Sequence, residues 1–156
     1  MGPGRHAVPL SCDDRLDILE VAARYCRALD RGDPEGLEAV FTEDAVWESS
    51  ARGQRRGREA IVDEFRARAA QAHTRKHWTS NPVIEGDGDE ASLTLDLLVL
   101  HLDDGDVRPG TSGVYEDRLR RDDAGWRIAY RKITVDGQRA GFRERPAEPA
   151  GKDATR

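Results

Sequence analysis

The first part of the chain places its apolar residues at helical spacing. Ser11 followed three residues later by Asp14 predicts a helix N-terminus, and Gly32 stands where a helix commonly ends. Between these signals, over about 13–31, the apolar positions form two adjacent rows: Ile18, Ala22, Tyr25, Leu29 and Leu19, Ala23, Cys26. Two adjacent rows give the wide apolar stripe of a helix that packs on a core.

Three short elements are expected next. Asp33-Pro34 predicts the start of a second helix that reaches about Phe41. A short strand is predicted over 45–50, and the helical spacing of apolar residues that follows predicts a third helix over about 58–71.

From residue 76 onwards the apolar positions alternate, which predicts strands. The strands are expected over 76–85, 91–102, 113–121 and 126–135, with glycine- and aspartate-rich turns between them and a loop over 108–112. Helices followed by consecutive strands predict an α+β fold, in which the helices cover one face of a mostly antiparallel sheet.

The length of 156 residues suits one domain, which we place at residues 12–138. The flanking segments, 1–11 and 139–156, show no apolar periodicity, and we expect two disordered tails. We find neither an internal repeat nor a linker between them.

Charge and cysteine content narrow the classes of function. Charged residues make up 35% of the chain and its net charge is −5, which argues against membrane spans and against nucleic acid as the main partner. The two cysteines, Cys12 and Cys26, lack metal-ligand spacing. With no apolar run typical of a signal peptide near the N-terminus, the chain is predicted to be cytoplasmic.

Two polar residues stand in patterns that suggest chemistry. Asp30 continues a predicted buried row at the last turn of the first helix, where its charge also opposes the helix dipole. A buried carboxylate needs a partner, although a helix-end aspartate can instead reach water. His77 shares one face of its strand with Thr79 and Asn81, so that this face lines either a wet pocket or the solvent.

Four further residues are candidates for ligand contact. The Tyr25 hydroxyl lies on the apolar face of the first helix and needs a partner or a ligand. Tyr115 and Asp117 share one face of their strand and would offer a phenol and a carboxylate if that face is concave; otherwise they lie in water. Trp47 either packs in the core or caps a flat substrate.

Other chemistries find no support in the sequence. His73 and His77 have the spacing of a metal pair, but no third ligand is evident, so we predict no metal site. Gly86-Asp87-Gly88 reads as a hairpin turn rather than a phosphate loop, and no Gly-x-Ser-x-Gly motif occurs.

Several runs resemble the SnoaL-like branch of the nuclear-transport-factor-2-like superfamily. They are Ala23–Asp33, Phe41–Trp47, Gly57–Ile61, His77–Pro82 and Gly125–Ile128. The resemblance implies a cone-shaped α+β barrel, with N-terminal helices packed on a strongly curved, mostly antiparallel sheet that encloses a pocket.

The resemblance also implies roles for single residues. SnoaL-like and scytalone-dehydratase-like enzymes place an Asp–His pair where this chain has Asp30 and His77. Ketosteroid-isomerase-like relatives place an oxyanion-binding tyrosine where it has Tyr25. Those isomerases carry a general-base aspartate where this chain has Ser49, so steroid isomerisation by that chemistry is disfavoured.

These features together suggest a cofactor-independent acid–base enzyme, a dehydratase, isomerase or cyclase, acting on a small apolar polyketide-like or aromatic substrate. The expected catalytic residues are Asp30, His77 and Tyr25; the expected substrate contacts are Trp47, Asn81, Tyr115 and Asp117. We expect a homodimer formed through the open face of the sheet. The alternative is a non-catalytic ligand-binding or assembly domain resembling the β-subunits of ring-hydroxylating dioxygenases.

Overall fold

A computed structural model describes residues 8–137 of the protein. The first helix, α1 (Cys12–Arg31), begins with the predicted capping box: Ser11 accepts from the Asp14 backbone, and the Asp14 carboxylate accepts from the Ser11 backbone. It ends at Gly32, which takes the left-handed conformation (φ 63°). The buried face of α1 consists of Ile18, Ala22, Tyr25, Cys26 and Ala28.

The segment after α1 contains more strand than expected. It forms α2 (Pro34–Val40), β1 (Phe41–Ser49), β2 (Gly53–Arg56), α3 (Arg58–Arg66) and a 3-10 helix (Ala69–Thr74). The prediction missed β2, since its Gly-Gln-Arg-Arg sequence carries no apolar alternation. The third helix was predicted to reach residue 71, but a tertiary contact intervenes. The 3-10 helix packs so closely on Gly32 that a Cβ there would lie 3.1 Å from the Ala69 carbonyl oxygen.

The sheet has six strands in the order β2-β1-β6-β5-β4-β3. Its last four strands are β3 (Arg75–Asp87), β4 (Glu90–Asp103), β5 (Asp106–Asp122) and β6 (Gly125–Val135). All neighbours run antiparallel except β1 and β6, which are parallel. The α+β class with helices on a mostly antiparallel sheet is confirmed, and the sheet is open, with β2 and β3 at its edges.

The prediction of a loop over 108–112 is wrong. Arg108 pairs with His101 and Pro109 with Leu100, so β5 runs through this segment without a break. Pro109 lies beside a register irregularity between Leu98 and Leu100, where a missing backbone donor is tolerated.

The core lies between the inner face of the sheet and the helices. Alternate residues of β4 are buried there, namely Leu93, Leu95, Leu97 and Val99. The packed unit begins before the predicted domain start at residue 12, because Leu10 is 8% exposed and belongs to the core and Pro9 bridges to Asp87. Residues 1–7 of the predicted N-terminal tail, residue 138 and the whole predicted C-terminal tail (139–156) lie outside the described residues.

Two further observations concern membrane-spanning helices and the predicted homodimer. Within residues 8–137, the helices include none with the length and apolar character needed to cross a membrane. Trp78 and Val83 of β3 are large apolar residues that are 56% and 58% exposed. The homodimer stays a prediction.

Asp14 ties α1 to the sheet and should make stability depend on pH. Its carboxylate accepts from the Ser11 hydroxyl (2.7 Å) and from Trp126 Nε1 (3.0 Å), and it pairs with Arg121. Hydrogen bonds from Ser11 and Trp126, aided by the Arg121 charge, lower the pKa of Asp14 to about 2. The folded pKa lies below the unfolded one, so this contribution is present above pH ~4 and lost as the pH falls towards 2.

We therefore expect Asp14→Asn to lower the melting temperature at pH 7, with the difference from wild type narrowing from pH 4 to pH 2. Thermal unfolding followed by circular dichroism would measure both effects. Asp13→Asn removes the same charge from the neighbouring exposed position and serves as the control. A difference that stays constant across this pH range would contradict the role assigned to the Asp14 charge.

Candidate active site

The sheet, α1, α3 and the 3-10 helix surround a cavity of about 280 Å3. Its deep wall is aromatic and aliphatic, and includes Tyr25, Trp47, Phe65, Leu97, Tyr115 and Ile133. This volume lies at the lower end of the range found for small-molecule sites. The cavity therefore suits a ligand about the size of one or two fused rings.

His77 lines this cavity and contacts Asp30, which lines an adjoining pocket rather than the cavity itself. His77 Nδ1 lies 2.7 Å from Asp30 Oδ1, and the His77 backbone N–H donates to both carboxylate oxygens at 3.1 and 3.2 Å. The two side chains are only 15% and 20% exposed. Asp30 ends α1 and His77 is near the start of β3, so the tertiary packing of these two elements brings the pair together.

This geometry defines the state of the imidazole. A carboxylate at Nδ1 favours the tautomer that carries its proton there. Nε2 is then unprotonated, and within residues 8–137 the protein provides no hydrogen-bond partner for it. Since His77 lines the cavity, Nε2 is the atom available to take a proton from a ligand.

Tyr25 supplies a hydroxyl group to the same cavity. It is fully buried, and its hydroxyl oxygen accepts from Trp47 Nε1 at 3.2 Å. Burial raises the pKa of the phenol, so Tyr25 stays protonated at neutral pH. The Trp47 contact fixes the oxygen, and no acceptor for the phenol hydrogen is found among the described residues.

Tyr115 completes an aromatic wall beside Tyr25. The two rings meet edge to face, with centroids 5.9 Å apart and planes at 88°. Burial, reinforced by Tyr25, raises the pKa of Tyr115 well above its usual value. Tyr115 lines the cavity as expected from its position on the inner face of β5.

Asp117 occupies the same inner face of β5 but is engaged elsewhere. Arg131 Nε and Nη2 donate to its two carboxylate oxygens at 2.7 and 2.5 Å, and both side chains are fully buried. The Arg131 guanidinium also stacks on the rings of Tyr25 and Tyr115, 4.0 and 4.3 Å from their centroids. The structure therefore places Asp117 in an ion pair behind the cavity wall rather than at the ligand.

Sequence reasoning missed Arg131, although one signal in the sequence pointed to it. Arg131 is two residues before the buried Ile133 and so shares its face of β6. Asp117 stands directly opposite it on β5. The cross-strand register, which pairs the two charges, emerges only from the folded sheet.

Asn81 lies outside the cavity, in contrast to its expected place beside His77. It has a left-handed backbone (φ 53°) at the register irregularity between Ser80 and Val83 of β3. This irregularity breaks the alternation that the prediction assumed. The exposed Asn81 side chain donates to Asp96 Oδ2 at 2.6 Å.

The described residues also bear on metal binding and thiol chemistry. Between residues 8 and 137 there is no group of three or more His, Cys, Asp or Glu side chains placed to hold a metal ion. Cys12 is exposed and Cys26 is buried on α1. Burial raises the pKa of the Cys26 thiol to about 11.

We accordingly expect one reactive thiol per native chain. At pH 8, Ellman's reagent should titrate Cys12 rapidly and leave Cys26 unmodified, whereas both should react in denaturant. Cys12→Ser should abolish the rapid phase. Rapid modification of Cys26 in the folded protein would show that the thiol is more accessible or more acidic than its burial implies.

Three solved structures are similar to this chain. A protein of unknown function with a cystatin-like fold from Nostoc punctiforme is 31% identical, with a TM-score of 0.75, covering 83% of this chain and 96% of its own. An NTF2-like protein with a cystatin-like fold from Novosphingobium aromaticivorans is 25% identical (TM-score 0.75, coverage 82% and 85%). A scytalone dehydratase-like protein from the same organism, 24% identical (TM-score 0.66, coverage 80% and 88%), shares the fold.

The family is assigned by comparison of the sequence with known proteins and protein families. None of the curated proteins matches this chain significantly. The model of the SnoaL-like domain, in contrast, matches residues 11–132, which include the whole of the Asp30–His77 site. The chain therefore belongs to the SnoaL-like family, within the NTF2-like superfamily.

Proposed function

We propose that this protein is a cofactor-independent acid–base enzyme that dehydrates, isomerises or cyclises a small, largely apolar molecule. The observation that carries the proposal is the 2.7 Å contact between Asp30 and His77, whose imidazole lines the aromatic cavity. A histidine oriented by a carboxylate is a common proton-transfer device in enzymes.

In a dehydration, His77 Nε2 would remove a proton from a carbon next to a substrate carbonyl. The electrons of that C–H bond move onto the carbonyl oxygen, where the Tyr25 hydroxyl donates a hydrogen bond to the developing enolate. When the enolate collapses, a hydroxyl group on the next carbon leaves and takes the proton from His77, so that water is released. Asp30 balances the transient charge of the imidazolium throughout.

Isomerisation and cyclisation need the same first step. In an isomerisation, His77 returns the proton to a different carbon. In a cyclisation, the enolate carbon attacks a second carbonyl of the substrate, and the oxygen of that carbonyl takes the proton from His77. The cavity wall formed by Leu97, Tyr115 and Ile133 is apolar, and a ligand that displaced water from it would strengthen both the hydrogen bond from Tyr25 and the Asp30–His77 interaction. Bicyclic aromatic and polyketide-like compounds fit this wall best.

A substrate screen would test the proposal. Bicyclic β-hydroxy ketones, enones and linear polyketide mimics would be incubated with the protein, and loss of water, double-bond migration and ring closure followed by mass spectrometry and NMR. We expect turnover by the wild type in at least one of these three classes and little by His77→Ala. A placed general base contributes about 10²–10⁴-fold.

The same screen separates the enzyme from a binding or assembly domain. If compounds bind but the wild type converts them no faster than His77→Ala does, the proposal is contradicted and the non-catalytic alternative is favoured. Co-purification with an oxygenase-type subunit that covers the sheet would point in the same direction.

Tyr25→Phe should slow the reaction because it removes the hydrogen bond to the developing enolate oxygen, whereas proton transfer to His77 stays possible. We expect kcat to fall about 10²-fold, as for the loss of one oxyanion donor, with a smaller change in KM. Steady-state kinetics on the substrate found by the screen would measure this. Tyr130→Phe is the matched control, because Tyr130 of β6 does not line the cavity and its hydroxyl donates to Glu48 of β1 (3.0 Å). Equal kcat values for Tyr25→Phe and wild type would exclude Tyr25 as the oxyanion donor.

A further inference from the structure

The cavity has a positively charged rim. Four arginines contribute to its lining, namely Arg52, Arg66, Arg68 and Arg75. Among the described residues the lining includes neither aspartate nor glutamate. A chain with a net charge of −5 thus surrounds an aromatic cavity with cations, which is the reverse of its overall charge balance.

Two of these arginines are neutralised by nearby carboxylates. Arg66 pairs with Asp63, and Arg68 pairs with Glu64. Even so, the Nη1 atom of Arg68 is buried without a hydrogen-bond partner in the described part of the chain. Buried donors of this kind are uncommon in folded proteins and often bind water or a ligand.

Arg52 and Arg75 form no ion pair at all within residues 8–137. Arg52 lies in the turn between β1 and β2, and Arg75 is the first residue of β3. They approach the cavity from different parts of the sheet, and both line it. Partial desolvation and the Arg75 charge lower the pKa of Arg52, and an anion bound by both guanidinium groups would relieve this repulsion.

The deep wall and the rim thus differ in chemistry. Tyr25, Trp47 and Tyr115, at 0 to 2% exposure, form the deep aromatic part, whereas Arg52 and Arg66 are exposed at the rim. A ligand that matches both has a flat apolar body and a negatively charged end. A guanidinium group binds a carboxylate through two parallel hydrogen bonds, and this planar match favours a carboxylate as the charged end.

We propose that the substrate of this site is an aromatic or polyketide-like carboxylic acid, with its carboxylate between Arg52 and Arg75 and its ring system against Tyr25, Trp47 and Tyr115. This inference rests on the proposed function and specifies its substrate class. It also orients the substrate, because the carboxylate at the rim directs the opposite end of the molecule into the cavity.

A matched pair of ligands tests the inference on the full chain. Isothermal titration would compare 2-naphthoate with 2-naphthamide, which share the ring system and differ in charge. We expect the acid to bind at least about tenfold more tightly, and added salt should reduce this preference. Arg52→Gln and Arg75→Gln should each weaken it, and the double variant should bring the two affinities close to equality.

Arg24→Gln is the matched control, since Arg24 is an exposed arginine of α1 that pairs with Glu20 away from the cavity. It removes the same charge and should keep the preference for the acid. Circular dichroism would show that all variants are folded. Equal affinity for acid and amide, no binding of either at millimolar concentration, or a preference unchanged in the double variant would overturn the inference.

The outcomes distinguish this inference from the proposed function. A protein that prefers the acid but converts no compound of the screen, with carboxylated analogues of each class included, supports the anion site and contradicts the enzyme. Turnover of neutral compounds that depends on His77, without any preference for acids, supports the enzyme and overturns the anion site.

Discussion

Asp30→Asn is expected to lower turnover by about 10²-fold or more while leaving the protein folded. The substitution keeps the shape of the side chain and removes the charge that balances the His77 imidazolium, and it presents an amide to Nδ1 in place of an acceptor carboxylate. Only 20% of the Asp30 side chain is exposed, so water replaces this interaction poorly. Steady-state kinetics on the substrate from the screen would give the loss.

A double-mutant cycle shows whether Asp30 and His77 act as one unit. His77→Ala alone should cost about as much as Asp30→Asn, and the double variant should be little worse than either. In ¹⁵N NMR, the wild-type ring should show a proton on Nδ1, and Asp30→Asn should change the tautomer population. Asp17→Asn, on the exposed face of α1, controls for the loss of one negative charge. Additive losses, or a tautomer indifferent to Asp30→Asn, would mean that the pair does not carry the reaction.

Local sequence patterns predict most of the fold. The Ser11–Asp14 capping box and Gly32 set the ends of α1, and the alternation through Leu93 and Val99 sets β4 and its inner face. These signals work because helix caps and strand alternation depend on neighbours along the chain. The parallel pairing of β1 with β6 joins distant segments and leaves no such local mark.

Local sequence patterns likewise predicted some features of the candidate site and not others. Helical periodicity placed Asp30 near the buried face of α1. Alternation placed His77 on one face of β3 with Thr79 and left open whether that face is the inner one. The contact between Asp30 and His77 depends on how α1 crosses β3. Family resemblance supplied that pairing. Asn81 shows the limit of alternation, because one irregularity in β3 moved it to the surface. The arginine rim had no sequence signature, since its members come from three separate segments.

Asp117→Asn is expected to destabilise the protein by about 3–5 kcal/mol, because it leaves the Arg131 charge buried without a counter-charge. Burial acts to lower the pKa of Arg131, but Asp117 outweighs it and raises that pKa above its usual value, so the guanidinium stays charged. Both side chains are fully buried, and water cannot take the place of the lost carboxylate. A loss of this size is a large part of the ~5–15 kcal/mol that stabilises a typical domain. Urea unfolding at pH 7 would measure it.

Two further variants isolate the buried charge. Glu116→Gln is the matched control, because Glu116 pairs with Lys132 one position along the same two strands, where the side chains are 51% and 45% exposed; we expect a cost below about 1 kcal/mol. Asp117→Leu combined with Arg131→Met removes both charges and should recover much of the stability lost in Asp117→Asn. If Asp117→Asn costs no more than Glu116→Gln, the ion pair does not stabilise the fold, and Asp117 becomes a candidate for the ligand-contacting carboxylate that the sequence suggested.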